Sequence, residues 1–258
     1  MTSENLHVAG LRTTRVDLEA ARELLWNDAR LRRARVYVLV NGYSATLRRH
    51  HDAYASLLEQ DAVVPLSDGA AITLGARLAG AGCAPRCPGP DLLERAARVA
   101  AGDDTSFFLL GGDVGVAEQL AEELRKRYPG LRIAGAATPP FGKWSEAESR
   151  KLVGLVAKSD ADILWLGVSA PNQEIWSVAW RESIGRPIVC VGAAFDFLSG
   201  RKPRAPRWIR QIGLEWLFRL ASEPGRLWRR YLVGNAVFIA DLLRYGRRPV
   251  RVPSDPEP

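Results

Sequence analysis

Cysteine and histidine are scarce in this chain, which has three of each in 258 residues. The three cysteines cannot all pair, and Cys83 and Cys87 form a lone C-x3-C, so we predict neither a disulfide framework nor a zinc site. The histidines have no ligand partner at metal-binding spacing, and we expect no metal ion in the site. We interpret the three thiols as structural or inert and expect a reducing, cytoplasmic compartment.

Long hydrophobic runs are missing as well. No apolar run reaches the roughly 18 residues that a membrane-spanning helix needs, and the longest candidate, 231–243, contains Asn235 and Asp241. The first ten residues, MTSENLHVAG, lack the basic and apolar regions of a signal peptide. We therefore expect neither a membrane span nor export, and attachment to a membrane surface stays open.

Acidic residues are few in one segment, and that segment carries the excess positive charge. The net charge is +7, and residues 201–251 hold thirteen Lys and Arg against three acidic residues. The first 200 residues are almost neutral. This asymmetry is consistent with a solvated face, but solubility alone does not require it, so we also consider a membrane surface or nucleic acid as its partner.

Short β-branched runs alternate with helical patterns between residues 35 and 194. This alternation predicts an α/β fold, with a Rossmann-like, mostly parallel sheet and flanking helices. The predicted strands are 35–41, 62–69, 106–112, 131–135, 163–169 and 187–194, and the predicted helices are 45–60, 69–80, 91–101, 114–128, 146–159 and 171–184.

The alternation stops after Gly200. Two helical patterns follow, 206–222 and 226–245, and we divide the chain into an α/β core (1–200), a basic helical appendage (201–248) and a Pro-rich tail (249–258) that we predict to be disordered. In the first of these helices, Ile209, Ile212, Trp216 and Leu220 recur as one apolar stripe, and Arg207, Arg210 and Arg219 lie off it. The stripe either lies in an anionic membrane interface or packs on the core.

Polar residues and glycines follow several predicted strands, where an open parallel sheet binds its ligands. Asp68 is placed to act as a general base, or Asp68-Gly69 is only a turn. Gln173 follows a later strand as a candidate polar contact, while Ser169 and Glu174 could cap its helix. The turn at Gly112 either binds a nucleotide phosphate or is merely tight.

These motifs together resemble the WecG/TagA/CpsF family of bacterial glycosyltransferases, glycosyltransferase family 26. The resemblance covers roughly residues 36 to 245. It rests on Asn41, 65-PLSDG-69, 89-GPD-91, 109-LLGGDVGVAE-118, 139-PPFG-142, 171-PNQE-174, 192-GAAFDFLSG-200 and 204-RAPRWIRQIGLEWLFRLASEPGRLWRRY-231. The last two blocks are long and ordered, which makes a chance match a poor explanation.

The resemblance implies an inverting transfer of a sugar from a UDP-sugar to a polyprenyl-diphosphate-linked saccharide. The reaction would serve cell-surface polysaccharide biosynthesis at the cytoplasmic face of the membrane and would need no metal and no other cofactor. The family's proposed base falls on Asp68, and the positions implied to bind substrate are Asn41, Gly69, Gly112, Gln173, Arg219, Arg226 and Arg229. One departure is Leu39, where the family commonly has Thr, so a hydroxyl contact to the substrate is missing.

Two other classes of function were weighed. A nucleotide- or NAD-dependent oxidoreductase is disfavoured, because the turn Gly111–Gly115 is not G-x-G-x-x-G and strand 131–135 ends without a ribose-binding acid. A nucleic-acid-binding module would use the basic C-terminus, but no known recognition motif accompanies it, and we expect no nucleic acid partner. The oligomeric state stays open.

Overall fold

The computed structural model of the protein describes residues 4–82 and 84–248. Cys83 and the tail 249–258, for which disorder was predicted, lie outside the described residues. Within them, eight strands form one sheet in the order β1-β2-β4-β3-β8-β7-β5-β6. The strands are β1 (Asn5–Val8), β2 (Leu11–Thr14), β3 (Val36–Val40), β4 (Val63–Ser67), β5 (Ser106–Gly111), β6 (Arg132–Ala137), β7 (Ile163–Gly167) and β8 (Ile188–Cys190).

All neighbouring strands pair in parallel except the β1–β2 hairpin. Helices cover both faces of the sheet, which explains why its central strands are hydrophobic at nearly every position. In β3, Val36, Val38 and Val40 enter the core on one face and Tyr37 enters the core on the other. The predicted α/β fold with a mostly parallel sheet is confirmed.

The six predicted core helices lie close to their predicted positions, with one break that the pattern did not show, and helices Leu18–Arg30 and Ala194–Leu198 were not predicted. The predicted helix 45–60 is two helices, because the backbone at His51 is extended. The core helices are α1 (Leu18–Arg30), α2 (Gly42–His50), α3 (Asp52–Leu58), α4 (Ala70–Leu78), α5 (Gly89–Ala100), α6 (Val116–Arg127), α7 (Glu146–Ser159), α8 (Asn172–Ile184) and α9 (Ala194–Leu198).

The sequence patterns predicted no element before residue 35, yet β1, β2 and α1 lie there. Strand β2 reads LRTT, and all four of its side chains are buried. Its polar groups find partners in β4: Arg12 donates to the Val63 carbonyl at 2.7 Å, and the Thr13 and Ser67 hydroxyls lie 2.8 Å apart. A strand whose polar atoms are satisfied by tertiary partners has no alternating apolar signal to detect.

The C-terminal appendage, residues 201–248, forms four helices and one π turn. They are α10 (Arg207–Gln211), α11 (Glu215–Ser222), α12 (Pro224–Trp228), the π turn (Arg229–Val233) and α13 (Gly234–Tyr245). The helix predicted over 206–222 is broken because Gly213 has a φ of +80°, a left-handed value that ends α10. A Cβ at that position would lie 2.7 Å from the Ala70 side chain, so the turn also sits close against α4.

Ion pairs hold the C-terminal appendage on the core. The Asp241 carboxylate on α13 is fully buried and accepts hydrogen bonds from Arg48, at 2.8 Å, and from Arg49. At the other end of the appendage, Arg204 and Arg210 lie 2.7 and 3.2 Å from Asp91. The appendage thus lies across the edge of the sheet where β3 and β4 end.

Candidate active site

One cleft of about 1980 Å³ runs along the carboxyl ends of β3, β4, β5, β7 and β8 and continues beneath the C-terminal appendage. Its floor is built from strand ends, because parallel strands all present these ends at the same edge of the sheet. Its opposite wall comes from α11, α12, the π turn and α13. Seven of the eight residues predicted for the site line this cleft: Asn41, Asp68, Gly69, Gly112, Gln173, Arg219 and Arg226.

Asp68 lies at the base of the cleft, directly after β4. Its backbone N–H donates to the Val40 carbonyl at 2.7 Å, which ties the ends of β3 and β4 together, and Gly69 then turns the chain into α4. Burial and the nearby negative charge of Glu215 raise the pKa of Asp68 to about 6, against the opposing effect of Arg219, Arg86 and Arg230. A carboxylate with this pKa can accept a proton near neutral pH.

Asn41 and Gly112 have structural roles in addition to lining the cleft. The Asn41 side chain caps α2 by accepting from the Tyr43 N–H at 3.0 Å, which leaves its amide NH2 group as a donor for a ligand. Gly112 has a φ of +74°, and a Cβ there would lie 2.5 Å from Val116. The turn is therefore tight, and it also faces the cleft, where binding of a nucleotide phosphate stays a prediction.

Gln173 and Glu174 form a buried polar pair on the cleft wall. The Gln173 amide donates to Glu174 Oε1 at 2.7 Å, and Gln173 Oε1 and Glu174 Oε2 have no hydrogen-bond partner among the described residues. Burial raises the pKa of Glu174 to about 7, against the effect of the hydrogen bond from Gln173. Helix α8 begins after Pro171 without a side-chain cap, so the expectation that Ser169 caps it is wrong. Glu174, for which its position in the first turn indicated a capping carboxylate, is buried at 2% exposure.

The arginines of the appendage divide between the cleft and the outer surface. Arg219 lines the cleft with its guanidinium over the Phe197 ring, and Arg226 lines it while paired with Glu223 at 2.7 Å. Arg229 is exposed and absent from the lining, and its guanidinium lies over the Trp228 ring. The structure does not bring Arg229 together with the other predicted site residues.

The charged residues of the cleft that sequence reasoning missed include Arg86, Glu215 and Arg230. Arg86 lies in the loop between α4 and α5 and donates to the Arg210 carbonyl at 2.7 Å. Glu215 and Arg230 belong to the appendage, where the side of each helix that faces the cleft depends on the breaks at Gly213 and at the π turn. No periodicity in the sequence marks either break.

The apolar stripe predicted on the appendage only partly faces the cleft. Ile212 and Trp216 line it, whereas Ile209 and Leu220 are partly buried and absent from the lining. Trp208, which is not a member of the stripe, has 64% of its surface accessible. Exposed apolar side chains also form a rim around one end of the cleft, hereafter the apolar rim. Its members are Leu74, Leu78, Ile212, Leu214, Ile239 and Leu243.

Two absences from the described residues bear on membranes and metals. Over residues 4–82 and 84–248, no helix has both the length and the hydropathy required to cross a bilayer. The same residues contain no cluster of three or more His, Cys, Asp or Glu side chains suited to hold a metal ion. Cys87 and Cys190 are free thiols buried in the core.

A mostly parallel sheet with a large cleft along its carboxyl edge is the architecture of Rossmann-like, nucleotide-binding enzymes. Within this class, the chain belongs to the glycosyl transferase WecG/TagA/CpsF family, because the family's sequence profile matches residues 6–251. The family resemblance inferred from the motifs is confirmed, and the chain is a glycosyltransferase. The alternative of an oxidoreductase is not favoured.

Three bacterial relatives carry the name N-acetylglucosaminyldiphosphoundecaprenol N-acetyl-beta-D-mannosaminyltransferase. The chain is 28% identical to the one from Bacillus spizizenii over 192 residues, which are 74% of this chain and 71% of the relative. It is 28% identical to the one from Bacillus subtilis over 65% of this chain and 63% of the relative. It is 25% identical to one from Staphylococcus aureus over 69% of this chain and 68% of the relative.

Proposed function

We propose that this protein transfers a sugar, with inversion, from a UDP-sugar to a polyprenyl-diphosphate-linked saccharide in cell-surface polysaccharide biosynthesis. The observation that carries the proposal is the composition of the cleft, in which a carboxyl group with a pKa of about 6 lies at the base and the guanidinium of Arg219 lies on the wall that the appendage forms. Such a cleft combines a proton acceptor with positive charge, and sugar transfer from a nucleotide needs both.

Asp68 and the arginines of the appendage have different roles in the reaction. The acceptor hydroxyl oxygen attacks the anomeric carbon, its proton passes to the Asp68 carboxylate, and the bond from the anomeric carbon to the UDP oxygen breaks. The electron pair of that bond leaves on the β-phosphate. Guanidinium groups suit this leaving group, because their forked donors match phosphate oxygens and their charge does not titrate at neutral pH. We infer that arginines replace a divalent cation in this role, so EDTA should leave activity unchanged.

The proposal of a lipid-linked acceptor is supported by the apolar rim and by the names of the relatives, which specify an acceptor of that kind. Leu78 and Leu243 leave 70% and 84% of their surfaces exposed at the mouth of the cleft. Contiguous exposed apolar patches on a protein surface commonly mark sites that bind a partner, a ligand or a membrane. The first isoprenyl units would lie on the rim while the diphosphate and sugar enter the cleft.

The proposal of attachment to the cytoplasmic face of a membrane is supported by the outer surface of the appendage. Trp208 and Trp228 are exposed there, together with Leu232, Val233 and the guanidinium of Arg229. Aromatic and basic side chains on one surface are typical of proteins that lie in an anionic lipid interface. Arg229 would then bind lipid headgroups rather than the donor.

The test is a transfer assay with GlcNAc-diphosphoundecaprenol as the acceptor and a panel of UDP-sugars as donors, starting with UDP-ManNAc. We expect release of UDP together with a disaccharide lipid whose new linkage, read by NMR, has the opposite anomeric configuration to the donor. Addition of EDTA should not change the rate. No transfer from any UDP-sugar to any lipid-diphosphate saccharide would refute the proposal, and a strict requirement for added metal would refute its metal-free part.

A further inference from the structure

Arg230 is a cleft residue that neither the family resemblance nor the sequence patterns assigned to the site. It lies in the π turn, one residue after Arg229, and its guanidinium is 5.0 Å from the centre of the Tyr43 ring on α2. It is partly buried and lines the cleft that contains Asp68 and Gln173. Its surroundings therefore differ from those of Arg229, which is exposed beside Trp228.

Asp68 and the Tyr43 ring offset the positive charge of Arg230 without a direct ion pair. In the part of the chain that the structure describes, no acidic side chain forms an ion pair with it and no hydrogen-bond acceptor receives its N–H groups, in contrast to Arg226 with Glu223. Burial lowers the pKa of Arg230, and the positive charge of Arg219 acts in the same direction. A guanidinium that lines a cleft with its N–H groups unpaired is available to an anionic ligand, because each of these groups can still donate a charge-assisted hydrogen bond.

Arg230 lines the cleft and its neighbour Arg229 does not, and both belong to the π turn. Consecutive residues of a helix point in directions about 100° apart, which is consistent with the different surroundings of the two arginines. The turn Arg229–Val233 is bracketed by α12 and α13, and it places Arg230 and Tyr231 in the lining. Single π turns inside longer helices occur frequently at functional sites.

We propose that Arg230 binds a substrate diphosphate jointly with Arg219. This inference rests on the function proposed above, and it names the cation that faces the phosphates at the inner end of the cleft. Two neighbouring guanidiniums repel each other in the empty cleft, and a diphosphate with its oxygens between them would neutralise both. Both the nucleotide donor and the lipid acceptor carry such a group, and separate measurements can tell them apart.

The experiment compares Arg230→Met and Arg230→Lys with the matched control Arg229→Met, all in detergent so that membrane attachment has no influence. Calorimetric titration measures the affinity for UDP and for inorganic pyrophosphate, and steady-state assays give KM for the UDP-sugar and for the lipid acceptor separately. A donor role predicts that Arg230→Met weakens UDP binding by roughly tenfold to a hundredfold, the usual range for a lost charged hydrogen bond. An acceptor role predicts unchanged UDP affinity and a similar rise in the KM for the lipid acceptor. Either result supports the inference.

Thermal melting separates a binding role from a structural one. If Arg230 only supports the fold, Arg230→Met should lower the melting temperature of the free protein. If Arg230 instead serves to bind a diphosphate, free Arg230→Met should melt at the same temperature as wild type or higher. The increase in melting temperature that UDP or pyrophosphate causes should then be smaller in the variant. Arg230→Lys should retain part of the diphosphate affinity, because lysine keeps the positive charge but lacks the forked pair of N–H donors of a guanidinium.

Two outcomes would overturn the inference. One is equal behaviour of Arg230→Met and Arg229→Met in UDP affinity, pyrophosphate affinity and both KM values. The other is a loss of activity that merely follows a loss of folding in both Arg230 variants. If UDP binding depends on Arg230 but no sugar is transferred, the proposed function alone is contradicted. If sugar is transferred equally well by wild type and both Arg230 variants, this inference alone is contradicted.

Discussion

At the residue scale, the environment of Asp68 predicts how the rate depends on pH. The groups that act on it are Glu215, which with burial raises its pKa to about 6, and Arg219, Arg86 and Arg230, which oppose that rise. A base works only in its ionised form, so kcat/KM should fall as the pH drops below about 6. The measurement is a pH–rate profile between pH 4.5 and 8 with saturating acceptor. A flat profile across that range would argue against a titrating carboxylate.

Glu174 predicts a pH dependence of stability. Burial raises its pKa from the ordinary value of about 4.5 to about 7, so its contribution to stability is fully present below pH 4.5 and is lost as the pH rises through 7. Glu174→Gln is neutral throughout and avoids this loss. Its unfolding free energy should therefore improve relative to wild type by up to about 3 kcal/mol between pH 5 and pH 8.

Urea unfolding of both proteins at the two pH values measures this difference. Glu148→Gln is the matched control, because Glu148 caps α7 through Ser145 and hydrogen bonds from that residue lower its pKa. The stabilising effect of the Glu148 carboxylate is lost only below pH 5, the lower limit of the assay. The difference in unfolding free energy between Glu148→Gln and wild type should therefore be constant between pH 5 and pH 8. A constant difference for Glu174→Gln as well would show that burial does not perturb this carboxyl.

At the scale of elements, the ion pairs of Asp241 predict that α13 depends on a single carboxylate. Replacement of Asp241 by Ala leaves Arg48 and Arg49 without their shared partner, and removal of one side of a buried ion pair typically costs about 3–5 kcal/mol. We expect the C-terminal appendage to detach before the core unfolds. Limited proteolysis should then cut within residues 201–248 while a core fragment persists.

Arg244→Ala is the control for this change, because Arg244 is exposed on the same helix and its guanidinium lies over the ring of the adjacent Tyr245. It should leave the cleavage pattern unchanged. Simultaneous loss of protection in core and appendage of the Asp241 variant would mean that the two parts form one cooperative unit. The division of the chain at residue 200 would then have no thermodynamic meaning.

The same scale shows what the sequence could predict. Strands such as β3 and β7 are uninterrupted apolar runs because helices bury both of their faces, so the pattern alone identifies them. Asn41 and Asp68 follow strands directly, and Gln173 lies in the first turn of the helix after β7, so the parallel arrangement brings all three to one edge of the sheet. Arg230 could not be found in this way, since its direction depends on a π turn that has no sequence signature. Strand β2 was missed because its buried Thr13 and Arg12 are satisfied by partners about fifty residues away.

At the scale of the whole molecule, part of the positive charge of the appendage is used within the protein. Arg204, Arg210 and Lys202 pair with acidic side chains, several of them on the core. The arginines that stay exposed include Arg229 and Arg244. The net charge of residues 201–251 therefore overstates the charge available to a partner.

The remaining surface predicts salt-sensitive binding to anionic vesicles. Each basic residue near such a surface contributes about 1 kcal/mol, and the effect decreases as salt screens it. Co-sedimentation with phosphatidylglycerol vesicles should decrease between low and high salt, should be absent with phosphatidylcholine alone, and should weaken in the double variant Trp208→Ala, Trp228→Ala. Binding to duplex DNA in preference to these vesicles would instead favour a nucleic-acid partner.

The central claim is that one carboxylate and a set of guanidiniums act on opposite sides of the same sugar–phosphate bond. It is tested most directly by the turnover and UDP affinity of Asp68→Asn, measured with a lipid-linked acceptor. Loss of a positioned base predicts that turnover falls by roughly 10²–10⁴-fold while the fold and the affinity for UDP are retained. Turnover equal to that of the wild-type protein would contradict the account.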